Sequence, residues 1–216
     1  MSQTLMYPPE IMALSPIIPV IAIDDAARAI DLAHALIAGG IKVLEITLRT
    51  PDALKAISLL TENVPEAVVG AGTVLNVNDL HRVVDAGASF AISPGSTETL
   101  LLEALKLNFP LLPGVATGSE IMHGLELGYT HFKLFPAMSA GGITALKSFS
   151  GPFQSARFCP TGGISEDNFL DFLKLDNVLC IGGSWIAPGD LTNAGKFDEI
   201  TRLTASAIEL YKNANA

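Results

Sequence analysis

The chain has 216 residues, 49% hydrophobic and only 16% charged, so it is long and apolar enough to bury a substantial core and is not intrinsically disordered. Its formal net charge is -9, with 22 acidic against 13 basic residues, which excludes a general surface for nucleic acid or anionic membrane. An anionic ligand must therefore be bound by a local arrangement of donors.

The start of the chain, Met1-Ser2-Gln3-Thr4-Leu5, has neither the basic residues nor the apolar core of a secretory signal peptide. No apolar run of membrane-spanning length is free of charge or proline. We therefore expect a cytoplasmic protein without membrane partners. In that reducing compartment Cys159 and Cys180 are expected to remain thiols and to serve as buried packing residues.

Short β-branched or aliphatic runs recur along the chain, and segments with helical periodicity separate them. Successive runs begin roughly 20 to 26 residues apart, which is the length of one strand plus one crossover helix. The predicted strands are Ile17 to Ile23, Lys42 to Leu48, Ala67 to Ala71, Phe90 to Ile92, Pro110 to Leu112, His131 to Phe135, Arg157 to Cys159 and Val178 to Ile181. Eight such units predict an α/β fold of the closed (β/α)8, or TIM barrel, class.

No linker or change in composition divides the chain, so residues 1–216 are expected to form a single domain. Residues 1–15, before the first predicted strand, are expected to cap the bottom of the barrel. The main alternative fold is an open, doubly wound sheet. Its dinucleotide fingerprint is not met, because Gly70-Ala71-Gly72-Thr73-Val74-Leu75 lacks the third glycine.

Lys133 is the only cation within the sixth predicted strand. An ammonium group removed from water without a partner loses solvation, so burial favours the neutral amine. A neutral amine is a nucleophile that forms Schiff bases with carbonyl substrates. Taken alone, this residue is equally consistent with a solvated lysine on an edge strand.

Side chains alternate between the two faces of a strand, and this alternation identifies the inward-facing residues. In the second predicted strand, aliphatic side chains alternate with Glu45 and Arg49, which directs these two polar residues into the barrel. The same alternation places Lys133 inside. Strands two and six stand opposite each other in a barrel, so Glu45 and Lys133 are expected to converge as a catalytic pair. A purely structural buried salt bridge is the alternative.

Two glycine pairs follow the last two predicted strands, in Thr161-Gly162-Gly163 and in Gly182-Gly183-Ser184. Glycine lets the backbone approach a ligand closely, and the helix that follows contributes the positive end of its dipole. Barrel enzymes commonly hold a phosphate at this position. The pattern therefore predicts an anion site.

Further small or polar residues end the earlier strands at the mouth of the barrel. They include Thr73 after the third strand and Ser93-Pro94-Gly95 after the fourth, while Arg49 at the rim could clamp a carboxylate in a bidentate manner. An exposed rim arginine is the alternative for Arg49. No cluster of histidine and carboxylate residues falls at the strand ends, so no metal site is expected.

Six motifs in order resemble the KDPG/4-hydroxy-2-oxoglutarate aldolase family, most closely its bacterial 2-keto-3-deoxy-6-phosphogluconate (KDPG) aldolases. The motifs are Val43-Leu44-Glu45-Ile46-Thr47-Leu48-Arg49-Thr50, Gly70-Ala71-Gly72-Thr73-Val74-Leu75, Ala91-Ile92-Ser93-Pro94-Gly95, Phe132-Lys133-Leu134-Phe135-Pro136-Ala137, Arg157-Phe158-Cys159-Pro160-Thr161-Gly162-Gly163 and Ile181-Gly182-Gly183-Ser184-Trp185. The resemblance implies a class I lyase on a (β/α)8 barrel, usually a homotrimer. It also implies cleavage of KDPG to pyruvate and glyceraldehyde 3-phosphate, as in the Entner-Doudoroff pathway, with no cofactor beyond the lysine Schiff base.

The resemblance also assigns expected roles to individual residues. Lys133 forms the iminium and Glu45 moves protons. The substrate-binding positions are Arg49, Thr73, Pro94, Phe135 and Thr161, and the phosphate-binding positions are Gly162, Gly163, Gly183 and Ser184. Relatives often carry a more polar pair where this chain has Met138-Ser139, so we expect any difference to lie at the rim of the site and not in the core chemistry.

Two other functions are compatible with the sequence. Cleavage of 4-hydroxy-2-oxoglutarate to pyruvate and glyoxylate is the nearest, either as the main activity or as a second one. A barrel that binds sugar phosphates without catalysis belongs to another class, and the inward lysine argues against it.

Overall fold

A computed structural model describes residues 5–215 as an α/β structure in which all pairings between strands are parallel. The strands are β1 Ile17–Ile21, β2 Val43–Thr47, β3 Val68–Gly72, β4 Phe90–Ile92, β5 Leu111–Leu112, β6 Gly114–Val115, β7 His131–Leu134, β8 Arg157–Pro160 and β9 Ile181–Gly183. The helices are α1 Pro8–Leu14, α2 Ala29–Ala38, α3 Ala53–Asn63, α4 Val77–Asp85, α5 Glu98–Lys106, α6 Gly118–Glu126, α7 Gly142–Ser150, α8 Phe169–Leu173, α9 Gly189–Asn193 and α10 Phe197–Ala214. The predicted alternation of parallel strands and helices is confirmed.

The strands form two sheets, one of six strands in the order β5-β4-β3-β2-β1-β9 and one of three in the order β6-β7-β8. Two isolated parallel bridges connect β8 and its following loop to the region of β9, namely Phe158 with Val178 and Thr161 with Gly182. At the other end of the three-stranded sheet, β6 follows β5 after a single residue, Pro113.

Most predicted strands agree with the structure to within one or two residues at each end, and the fifth and eighth depart further. The fifth is divided at Pro113, which has no backbone N–H to donate to a sheet, and the chain continues beyond it as β6. The eighth was expected at Val178 to Ile181 but begins only at Ile181 and runs on to Gly183, because these residues pair with β1.

Helices cover the outer faces of the strands. A side chain at Gly124 in α6 would collide with the ring of Phe132. Phe149 in α7 stacks on Phe158 with ring centroids 6.0 Å apart. These contacts show that Phe132 and Phe158 point towards the helices. The residues that alternate with them along β7 and β8 therefore point to the interior.

The segment before β1 lies at the amino ends of the strands. The Tyr7 hydroxyl donates a hydrogen bond of 2.9 Å to Asn108 Oδ1, just before β5, and helix α1 buries Ile11 and Met12. The first four residues of the predicted capping segment lie outside the described residues. None of the helices within residues 5–215 combines the length and apolar character needed to cross a membrane.

Candidate active site

Lys133 and Glu45 meet inside the molecule. The Lys133 Nζ donates a hydrogen bond of 3.0 Å to Glu45 Oε1, and the two residues are only 4% and 1% exposed. Lys133 lies on β7 and Glu45 on β2, which belong to different sheets, so the convergence predicted from strand alternation is observed. Each charge in this pair offsets the desolvation of the other.

Gly72 on β3 provides the space that the Glu45 carboxylate occupies. A Cβ built on Gly72 would collide with Glu45 Oε1, Cγ and Cδ. Glu45 and Gly70 are register partners in the β2–β3 ladder, so the carboxylate leans along the strand direction over the neighbouring glycine. The absence of a side chain at residue 72 therefore sets the direction in which Glu45 reaches Lys133.

A cavity of about 390 Å³ opens where the strands end. Phe135 joins this cavity to the ion pair, because its ring lines the wall and its centroid lies 5.5 Å from Lys133 Nζ. That distance permits a cation–π interaction with the ammonium. The cavity is lined by Val20, Arg49, Thr73, Pro94, Phe135, Thr161, Gly162, Gly163, Ile164, Gly182 and Ser184.

Arg49 and Thr73 form one wall of the cavity. The Arg49 Nε donates a hydrogen bond of 3.3 Å to Thr73 Oγ1. Thr73 has a φ of 59°, in the left-handed region that β-branched residues rarely adopt. Such a conformation costs on the order of 1–3 kcal/mol and persists where the surrounding structure requires it. This hydrogen bond to Thr73 uses only the Nε of Arg49. The two terminal nitrogens of the guanidinium have the fork geometry that binds a carboxylate.

The turn Gly162-Gly163 forms the opposite wall. Both glycines have left-handed backbones, with φ values of 103° and 75°, which explains why this turn requires two glycines. The hydroxyl-bearing Thr161 precedes them and is buried. Its Oγ1 lies where a side chain on Gly182 would project, so Gly182 is small in order to accommodate Thr161.

Gly183 differs from the other predicted anion-binding residues, because it does not line the cavity. A side chain at Gly183 would collide with the six-membered ring of Trp185, so packing accounts for the glycine. Ser184, the next residue, is exposed at the cavity wall.

The structure thus gathers all but one of the predicted site residues around one cavity and its adjoining ion pair. It also adds three that sequence analysis missed as site residues. Val20 is the register partner of Glu45, a pairing that the wholly apolar sequence of β1 does not reveal. Gly182 belongs to a predicted glycine pair but had no ligand role assigned to it, and Ile164 adjoins the other pair but carries no polar group.

Both cysteines are free and buried, as expected from the sequence. Cys159 is the register partner of Lys133, and its Sγ lies 4.0 Å from Thr161 Oγ1. Burial raises the pKa of the Cys180 thiol well above its usual value, and the nearby Cys159 and Glu45 raise it further. Cys180 is therefore a protonated packing residue at neutral pH.

Three of the four histidines lie on helices, and the fourth, His131, is the first residue of β7, the strand that carries Lys133. His34, His81 and His123 fall on helices α2, α4 and α6. Within residues 5–215 no group of three or more histidine, cysteine, aspartate or glutamate side chains is arranged to hold a metal ion.

Comparison with known proteins shows close relatives along almost the whole chain. The family model for KDPG and KHG aldolase matches residues 9–203. The chain is 52% identical over 199 residues to the KHG/KDPG aldolase of Escherichia coli K12, a match that covers 92% of this chain and 93% of that protein.

Two solved structures are similar to the fold described above. The KDPG aldolase from Legionella pneumophila, with pyruvate captured as a covalent carbinolamine intermediate, matches with a TM-score of 0.92 and 51% identity, covering 94% of this chain and 98% of that one. The KDPG aldolase of Zymomonas mobilis ZM4 with 3-phosphoglycerate matches with a TM-score of 0.87 and 46% identity, covering 93% and 94% respectively. The chain therefore belongs to the KDPG and KHG aldolase family.

Proposed function

We propose that this protein is a class I aldolase that cleaves KDPG to pyruvate and glyceraldehyde 3-phosphate through a Schiff base on Lys133. The observation that carries the proposal is the buried contact between Lys133 Nζ and Glu45 Oε1, next to a cavity at the strand ends. A similar structure holds pyruvate as a covalent carbinolamine, the intermediate that precedes a Schiff base. We assign the formation of this intermediate to Lys133 on β7 as the nucleophile.

The reaction begins when Glu45 accepts a proton from Lys133, which frees the lone pair of the amine. The amine attacks the C2 carbonyl carbon of the keto acid to form a carbinolamine. Glu45 then returns its proton to the departing hydroxyl, and loss of water gives a cationic iminium. This cation is the electron sink of the reaction, so the scheme needs no metal and no further cofactor.

Carbon–carbon cleavage follows from the iminium. Glu45, acting through a water molecule, takes the proton of the C4 hydroxyl as the C3–C4 bond breaks. The bonding electrons move into the iminium and leave a pyruvate enamine, while glyceraldehyde 3-phosphate departs. Protonation at C3 and addition of water to the imine release pyruvate and restore Lys133, so the water lost on imine formation is regained.

The two walls of the cavity suit the two ends of this substrate. Arg49, held by Thr73, is assigned to the carboxylate, and Phe135 and Pro94 flank the reacting carbons. Thr161 is assigned to the aldehyde-derived half. The phosphate is assigned to the glycine turn Gly162-Gly163 with Ser184, where backbone N–H groups can act as donors. The 3-phosphoglycerate in the Zymomonas mobilis structure supports a site for a phosphorylated three-carbon compound in the family.

Cleavage of 4-hydroxy-2-oxoglutarate to pyruvate and glyoxylate is proposed as a second activity. The Escherichia coli relative is named for both substrates. The smaller substrate shares the keto-acid end but has no phosphate for the glycine turn. We therefore expect a higher specificity constant for KDPG.

The overall arrangement is proposed to be a single-domain, closed (β/α)8 barrel. The two bridges between the β8 and β9 regions and the one-residue break between β5 and β6 support closure of the two sheets into one ring. The segment containing α1 is proposed to cap its amino end. We also propose a cytoplasmic homotrimer, in line with family resemblance and with the exposed Leu102 and Leu105 on α5.

Borohydride reduction in the presence of pyruvate tests the proposed function. The expected product is a pyruvyl adduct on the peptide containing Lys133, identified by mass spectrometry. Replacement of Lys133 by Met should abolish both the adduct and KDPG cleavage, whereas Lys147→Met, in α7, is the control and should leave both intact. Binding of KDPG without adduct or turnover would instead indicate a non-catalytic sugar-phosphate-binding barrel.

A further inference from the structure

The segment after β7 is bonded directly to the glycine turn after β8. The Ala137 N–H donates a hydrogen bond of 2.7 Å to the Thr161 carbonyl, and the Met138 N–H donates one of 3.2 Å to the Gly162 carbonyl. The chain that carries Lys133 therefore continues into a support for the opposite wall of the cavity.

The Met138 side chain extends this support to Gly163. A Cβ built on Gly163 would lie 2.6 Å from Met138 Cγ, so the methionine occupies the space into which a side chain at that position would project. Its Sδ would lie 3.6 Å from a Cβ built on Gly142, at the start of α7. Met138 is 51% exposed, which means that one side of it covers the glycine turn while the other faces solvent.

We propose that Met138 is a positioning residue for the turn Gly162-Gly163 and thereby favours substrates that carry a terminal phosphate. This inference rests on the proposed function and adds a determinant of substrate choice to it. Two consecutive left-handed glycines have no side chains of their own to restrict them, so an external contact is needed to keep their N–H groups aligned. An unbranched thioether adapts well to such an irregular surface.

The energetic consequence is confined to the phosphate end of the substrate. A turn that is already ordered loses less conformational entropy when it binds an anion, so Met138 strengthens binding by preorganisation. The chemistry at C2 depends on Glu45 and Lys133, whose contacts with each other and with Gly72 and Phe135 do not involve the Met138 side chain.

The test is Met138→Ala, measured with one ligand that carries a phosphate and one that does not. We expect KM for KDPG to rise about fivefold or more with kcat within about twofold of the original value, which is the pattern for lost ground-state binding. The pyruvate concentration that gives half-maximal borohydride trapping should not change. Met138→Leu should restore KM for KDPG, because it refills the space over Gly163.

Met122→Ala is the matched control. Met122 lies on α6 and is 56% exposed, so its replacement removes a similarly exposed methionine without touching the glycine turn. An unchanged KM for KDPG in Met138→Ala overturns the proposal, and so does an equal loss of pyruvate trapping. Failure of the proposed function itself is distinguishable, since the unmodified protein would then give no pyruvyl adduct at all.

Discussion

At the scale of single residues, the central feature is a lysine and a glutamate buried together beside a cavity. A buried ion pair contributes little net stability, because desolvation of both charges offsets their attraction. The proposed function gives the pair a catalytic role beside the cavity, in which Lys133 donates a proton to Glu45. We therefore expect the two residues to be separable in their kinetic roles.

Glu45→Gln should retain imine formation with pyruvate and lose most cleavage of KDPG. The amide cannot act as a base, and loss of a general base typically lowers a rate by about 10²–10⁴-fold. Single-turnover cleavage and borohydride trapping measure the two steps separately. Glu103→Gln, far from the cavity at a surface contact with His81 and Lys106, is the control. Normal cleavage by Glu45→Gln would show that another group carries the proton.

Lys133→Met should destabilise the folded protein by about 3–5 kcal/mol at neutral pH, because it leaves the Glu45 carboxylate buried without its partner. Adding Glu45→Gln to this variant should recover much of that loss, since a buried neutral amide costs less than a buried charge. Urea unfolding at pH 7 measures both effects. If the double variant were no more stable than Lys133→Met, the carboxylate would not be the source of the destabilisation.

At the scale of elements, β3 shows how a glycine in one strand aims a side chain from its neighbour. The Glu45 carboxylate lies over Gly72, and the Phe90 ring occupies the space above Gly70. In the sequence, these glycines belong to a segment that lacks the third glycine of a dinucleotide fingerprint and that matches a family motif. Their spacing instead reflects what the adjacent strands β2 and β4 place against them.

Gly72→Ala should therefore abolish most activity, although neither its φ nor a hydrogen bond of its own forbids alanine. The added methyl group displaces the Glu45 carboxylate, and misplacement of a catalytic group by about 1 Å can cost 10²-fold in rate. Gly151→Ala, just after α7, is the matched control, because a Cβ at Gly151 has nothing within 4 Å. Steady-state KDPG cleavage by the two variants gives the comparison, and equal activities would contradict the steric assignment.

The start of β7 carries a pH-dependent contribution to stability. Burial lowers the pKa of His131 below the ordinary value of 6.5, and the charge of neighbouring Arg157 lowers it further. As pH falls below 6.5, the unfolded chain binds a proton that the folded protein resists, so the folded state loses stability. The contribution is fully present above pH 6.5.

Replacing His131 by Asn should make the loss of stability shallower as pH falls from 6.5 towards about 5, before most carboxylates titrate. Urea unfolding at a series of pH values measures this slope. His34→Asn, on the exposed face of α2, controls for the removal of a histidine. An unchanged slope in His131→Asn would show that other groups cause the acid sensitivity.

At the scale of the whole molecule, an acidic chain binds an anionic substrate by local means. The formal net charge of -9 opposes anions at long range, while the proposed anion-binding groups, Arg49 and the glycine turn, line one cavity. Counterions screen the long-range repulsion within about 8 Å at physiological salt, so the local donors decide binding.

The assembly is predicted to be a trimer. Light scattering coupled to gel filtration should give three times the chain mass of 22.7 kDa. Large apolar side chains exposed on the single chain, such as Leu105 at 47%, are then expected to become protected from solvent. A mass equal to that of one chain across the micromolar range would contradict the prediction.

The sequence by itself determined the order of parallel strands and helices, because hydrophobic periodicity is a local property that burial imposes on each element. It also identified Lys133 and Glu45, since strand alternation directs both inward whatever the details of packing. Only the tertiary structure decided that Gly72 makes room for Glu45, that Gly183 serves Trp185 rather than the cavity, and that Met138 covers Gly163. Each of these depends on steric contacts between segments, which no pattern along the chain shows.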